Sequence, residues 1–261
     1  HHHHHHSHGA LTTKAALASV SMALFLLALK IYAAAETGSV ALLGSLADTS
    51  FDVLASLLTL FSVRYAARPA DDDHRFGHGK AEALSALVQV MLIVISASLI
   101  GWRAIVRLGS GETTTHPEMG IGVSLIAIIA TLALLAYQRH VVKKTGSVAI
   151  HADHVHYQSD LLLNIAVIIA IALETFLHLR GADPVFGIGI ALWLLWGAWR
   201  AVNIALDQLL DKEWPLEKRE AFLAAAMKHP EIKGIHDMRT RSSGMHDFCQ
   251  FHMWVDPSIS V

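Results

Sequence analysis

Two residue pairs carry the chemistry that this sequence could do: Asp48 with Asp52, and His156 with Asp160. At i, i+4 spacing on a helix both members of a pair share one face, so each pair can address a single point from one wall. Asp48 and Asp52 interrupt an otherwise apolar run, Ser39–Val63, where a carboxylate costs about 2.5–3.5 kcal/mol on insertion scales. Like charges this close repel unless a cation or a proton sits between them. If the helices bearing the two pairs face each other, they supply three carboxylates and one imidazole, a set suited to zinc at about 2.0–2.2 Å. The same set accepts cadmium, iron(II) and manganese. The competing explanations are bonding of the acidic pair to Ser, Thr or Lys30, and a solvated helix start around His156 and Asp160.

Positioning such a site takes a bundle of membrane-crossing helices. Hydrophobic residues make up 53% of the chain and charged ones 16%, against roughly 25% charged in soluble domains. Six stretches approach the roughly 20 apolar residues that a span requires. They are Ala15–Ala35, Ser39–Val63, Ala83–Trp102, Met119–Tyr137, a span ending near Leu177, and Val185–Leu206, the last two less uniformly apolar. The fifth is clean only from Leu161, so its polar start, His151 to Asp160, is expected outside the lipid or in a wet cavity. The first run is read as a retained span and not as a cleaved leader. Arg64, Arg68, Arg75 and Lys80, then Arg139, Lys143 and Lys144, mark two loops as cytoplasmic. The other side offers Glu36-Thr37-Gly38, the Gly111 to Pro117 loop after Arg107, and Arg180. Both termini are then cytoplasmic.

Residues 1–8 are an expression tag and start, leaving thirteen of the nineteen histidines for any metal argument. Residues 9–208 are expected to form the six-helix transmembrane domain. Residues 209–261 are read as a partial cytosolic αββ domain. That tail holds a helix at Leu216 to Lys228 and strands at His236 to Thr240 and Phe248 to Val255, joined by Ser242-Ser243-Gly244. The expected fold is thus a mainly α membrane protein followed by a small α+β cytosolic domain, shortened here. So small a soluble unit needs metal, a partner or more chain. A net charge of −2 excludes a nucleic-acid partner. The lone Cys249 can form neither an internal disulfide nor a thiolate cage.

Two further clusters have ligand chemistry. The loop Pro69 to Lys80 packs three carboxylates with His74 and His78, and the tail carries His236, His246 and His252. Solvated acidic loops and surface histidines are the competing readings. The sequence lacks a His-Glu-x-x-His pair and a Gly-x-Ser-x-Gly elbow, which argues against an intramembrane hydrolase and for a non-enzyme. A channel is disfavoured because a tight four-ligand site releases ions slowly. A metal sensor remains the third possibility.

Three ordered motifs resemble the cation diffusion facilitator family, nearest its bacterial zinc and iron exporter branch: Leu46 to Asp52, Asp72 to Glu82 and His156 to Asp160. The likeness runs on through His236 to Arg241. It implies a homodimer in the bacterial inner membrane that exchanges a divalent metal for protons by alternating access. Asp48, Asp52, His156 and Asp160 would form the transport site, and Asp71, His74 and His78 a loop site. His236 and His252 would contribute to a cytosolic site, incomplete because family members carry further ligands beyond the equivalent of Val261. Lys80 and Asp211 would join a charge interlock between protomers. Zinc would serve as the transported ion and possible structural ion, and protons and membrane lipid as the other partners.

Overall fold

The computed structural model describes residues 3–37, 40–110, 118–177 and 182–261. Gly38, the Gly111 to Pro117 loop and Arg180 lie outside the described residues, as does the side chain of Arg107. Six long helices come first: α1 (His3–Thr37), α2 (Val40–Ala66), α3 (Lys80–Ser110), α4 (Glu118–Thr145), α5 (Val148–Phe176) and α6 (Ala182–Leu209). A short α7 (Leu216–Ala226) and an antiparallel hairpin, β1 (Ile232–Ser243) with β2 (His246–Val255), follow. Each long helix overshoots its apolar run, because backbone hydrogen bonding continues into the flanking polar residues once a helix is established.

Among the described residues, four stretches are long and apolar enough to cross a membrane: His8–Glu36, Lys80–Leu99, Gly122–Thr145 and Gly187–Leu209. The sixth helix, expected to be less uniform, meets the same standard as α1, α3 and α4. The ligand-bearing helices, α2 and α5, are of similar length, 27 and 29 residues, and packing inside the bundle accommodates their acidic and histidine side chains.

Helix α5 is the axle. Its residues enter each of the main packing clusters: Tyr157 and Leu161 meet Met22 of α1 and Leu134 of α4, while Ile150 meets Val63 of α2 and Val141 of α4. Val148 and Ala152 meet Ala83 and Ala86 of α3 and Ala205 of α6. Alanines at these crossings let backbones approach closely, which is how helices associate without a hydrophobic drive between them. Within the polar start of α5, Asp153 and Tyr157 are fully or almost fully buried against neighbouring helices.

The chain reverses sharply into α5. Gly146 takes φ +66 and its N–H reaches Val142 O at 2.8 Å, closing α4 with a left-handed cap. Ser147 then caps α5, accepting from the Ile150 N–H at 3.2 Å and donating to the buried carboxylate of Glu82 on α3. The register of α5 is therefore tied to α3 at its first residue.

The hairpin is longer than its sequence pattern, and turns at Gly244, φ +62, with Ser243 opposite His246. Phe248 stacks edge-on to Phe76 in the loop after α2, at 5.6 Å, and Phe251 to Phe222 of α7, at 5.7 Å. Trp214, buried in the connection after α6, donates from Nε1 to Arg241 O and from its backbone N–H to Thr240 Oγ1, both at 3.0 Å. The small domain is thus pinned to the helical one.

Candidate metal centre

Helices α2 and α5 bring Asp52, His156 and Asp160 together, one ligand atom of each lying within 4.8 Å of the others. His156 Nε2 stands 2.7 Å from Asp52 Oδ1 and 3.8 Å from Asp160 Oδ2. A tetrahedral shell with bonds of about 2.0–2.2 Å spaces ligand atoms by about 3.4 Å. The two distances straddle that value, so side-chain adjustments of under an ångström would admit an ion. His156 is buried and the two carboxylates half-buried.

Asp48 does not join this group. It is exposed on α2, one helical turn before Asp52. Four residues advance about 6 Å along a helix, and α2 meets α5 at the level of Asp52, so Asp48 lies a turn away from His156. Lys30, a potential counter-ion for the acidic pair, donates instead to Thr49 Oγ1 at 2.8 Å.

Sequence reasoning passed over Asp153, one turn before His156 on α5. Fully buried, it accepts from Gln89 Nε2 of α3 at 3.1 Å and Gln138 Nε2 of α4 at 2.8 Å. Gln89 also donates to Thr59 Oγ1 of α2 at 2.6 Å. Alongside, Tyr157 bonds Ser56 of α2, and Ser56 lies 2.9 Å from Ser19 Oγ of α1. Five helices thus share a polar layer directly beside the ligand cluster. In the sequence Asp153 is one polar residue among several, His151 to Asp160, and carries no distinguishing signal.

The second group is Asp71, His74 and His78, in the loop between α2 and α3. His74 Nδ1 lies 3.5 Å from Asp71 Oδ1 and His78 Nε2 3.3 Å from Asp71 Oδ2, already at tetrahedral spacing. Gly77, at φ +87, lets the loop fold back so that His78 returns to Asp71. His78 Nδ1 donates to Arg68 O at 3.3 Å, which turns Nε2 toward Asp71. The backbone N–H of His74 donates to Asp71 at 2.6 Å and, with the neighbouring imidazoles, holds that carboxyl below its ordinary range.

In the hairpin, His236 and His252 are register partners with ring centroids 5.2 Å apart. Both are exposed. His236 Nδ1 accepts from Trp254 Nε1 at 2.7 Å, and His252 Nδ1 faces Asp237 Oδ2 at 3.9 Å. Among the described residues these histidines do not belong to a three-ligand group. Lys80 Nζ and Asp211 Oδ1, the two residues expected in a charge interlock, pair at 2.9 Å. Lys80 opens α3, Asp211 follows α6, and those helices lie side by side.

The family model of the cation efflux transmembrane domain matches residues 16–210, three-quarters of the chain. The chain belongs to the cation efflux family. The model of the cation efflux protein cytoplasmic domain matches residues 214–261. This cation efflux protein is 43% identical over 251 residues to a cation-efflux pump FieF of Serratia proteamaculans (strain 568), covering 96% of this chain and 83% of that one. It is 45% identical over 239 residues to a cation-efflux pump FieF of Yersinia pestis (strain Pestoides F), covering 92% and 79%. The cation efflux protein is accordingly a membrane protein of mainly helical fold with a small sheet-containing domain at its C-terminal end.

Proposed function

We propose that this protein exports a divalent cation, zinc foremost and cadmium or iron(II) besides, from the cytoplasm across the bacterial inner membrane in exchange for protons. The observation that carries the reading is the meeting of His156 Nε2 with Asp52 and Asp160 at 2.7 and 3.8 Å across two helices of a membrane bundle. Neither helix gains from charged side chains there unless a cation uses them. The related pumps of Serratia and Yersinia are named for cation efflux, which supports the direction.

In this mechanism the metal enters from the cytoplasmic side and binds Asp52, His156 and Asp160, and a rotation of α2 brings Asp48 in as the fourth ligand. Ligands must shed protons to bind metal, so protons arriving from the far side displace it. Rocking of the bundle exposes the same site to each side in turn. Asp71, His74 and His78 form a second ion site in the loop, and His236 and His252 part of a cytosolic one. The protein works as a homodimer with both termini cytoplasmic, residues 9–208 forming the transmembrane domain and 209–261 the cytosolic one. It catalyses no covalent reaction.

Zinc uptake into proteoliposomes under an imposed pH gradient, compared with Asp52→Ala, tests the reading. Uptake should follow the gradient and vanish in the variant. Equal uptake by both proteins would remove Asp52 from the path.

A further inference from the structure

A cavity of about 730 Å³ opens where α6 leaves the membrane bundle and meets the small domain. The end of α6, the connection 212–215, the first turn of α7 and Ser242 of β1 line it. Three cationic side chains line it: Lys212, Lys218 and Arg219. The carboxylates in its wall are engaged, Asp207 with Lys212 at 3.3 Å and Glu213 with the Thr240 N–H at 3.1 Å. Lys218 reaches Asp247 at 2.5 Å and lies over the Trp214 ring at 4.8 Å.

Two buried atoms in this wall lack a hydrogen-bond partner: Arg219 Nε, a donor, and Gln208 Oε1, an acceptor. Buried polar groups left unpaired are costly and uncommon, and both of these residues line the same cavity. The α7 helix also starts at the cavity with no side chain capping it, Pro215 standing at the cap position, and an uncapped helix start favours an anion. Apolar Ile204 and Leu216 complete the wall on either side of the connection.

We infer that this cavity binds the headgroup of an anionic phospholipid, a phosphodiester bearing a hydroxyl. The phosphate accepts from Arg219 and the start of α7, with Lys212 adding charge, and the headgroup hydroxyl donates to Gln208 Oε1. Ile204, in the last turns of α6, gives the acyl chains a way back to the bilayer. The position at the end of a spanning helix, with cations gathered on the side assigned to the cytoplasm, is where anionic lipids are drawn to proteins.

Native mass spectrometry of the full chain in neutral detergent, titrated with phosphatidylglycerol or phosphatidylcholine, tests this. Phosphatidylglycerol should bind about tenfold tighter, and Arg219→Gln should erase the preference while leaving the lipid-free melting temperature unchanged. Competition by millimolar inorganic phosphate would keep the phosphate site but assign it to a soluble anion. Equal binding of the two lipids, or a preference intact in Arg219→Gln, overturns the inference. Should that variant fail to fold, an undiminished preference in Lys212→Gln overturns it equally. Metal flux enters none of these readouts, so this result and that of the transport assay fall independently.

Discussion

Gly79 and Gly244 meet backbone against backbone. A methyl group on Gly79 would lie 2.2 Å from the carbonyl oxygen of Ser243, and one on Gly244 would lie 2.8 Å from the Gly79 Cα. The start of α3 and the turn of the hairpin therefore touch at the one place where neither chain carries a side chain. Gly79→Ala should push the hairpin off α3 and destabilise the docked arrangement by about 1–3 kcal/mol. Faster amide exchange in residues 240–248, with the helical bundle unchanged, is the expected signature.

The contact is reinforced electrostatically. Asp211 bonds Lys80 at 2.9 Å and faces Arg241 at 3.5 Å, and the Lys80 hydrogen bond holds its carboxyl below the ordinary value of 3.8. A depressed carboxylate contributes fully above its unfolded value and loses that contribution as pH falls through its lower folded value. Docking of the hairpin should therefore be insensitive to pH from 8 down to 5 and loosen only below about 4. Asp211→Asn should remove this acid sensitivity and weaken docking at neutral pH. A disulfide-trapping assay between α3 and the hairpin across that pH range reads both effects.

His78 offers a cleaner metal test than the spanning helices do. His78→Ala removes one of three ligands while Asp71 and His74 remain, so a bound-zinc count by equilibrium dialysis should fall by one per chain. Uptake through Asp52 and His156 should persist. An unchanged count would show that the loop binds no zinc.

Replacing His156 by Asp turns the intramembrane cluster into an all-oxygen set. Oxygen ligands suit manganese and disfavour zinc relative to imidazole, so the zinc-to-manganese selectivity of transport should fall. Selectivity identical to that of the parent would detach His156 from the cargo.

Asp153 gives a stability prediction. Asp153→Leu leaves the Gln138 amide without its acceptor, at about 1–3 kcal/mol, while Gln89 keeps Thr59 Oγ1 and Ala55 O; Asp153→Asn preserves an acceptor and should cost less. Loss of folded protein in a denaturing-detergent titration ranks the two.

What could be read from the sequence and what could not divide along a physical line. Asp48 and Asp52 declare themselves because a charge inside an apolar run is expensive in isolation, and His156 and Asp160 because they repeat the same i, i+4 spacing. The loop ligands Asp71, His74 and His78 are neighbours in sequence, so their proximity needs no fold. Asp153 looks like one more member of a polar run, and only packing shows that Gln89 and Gln138, 64 and 15 residues away, converge on it. The departure of Asp48 from the cluster depends on the rotation of α2, which periodicity leaves free by tens of degrees. Nothing in either glycine's neighbourhood announces that Gly79 and Gly244 are partners, since close approach is a property of two backbones at once.

The helix that carries His156 and Asp160 is also the one on which the bundle turns. Residues of α5 enter each of the main packing clusters, with partners on α1, α2, α3, α4 and α6. A close-packed interior transmits displacement and does not absorb it. Reorienting the ligand pair therefore means moving neighbours on five helices at once, so the ion can change sides only when the whole bundle does.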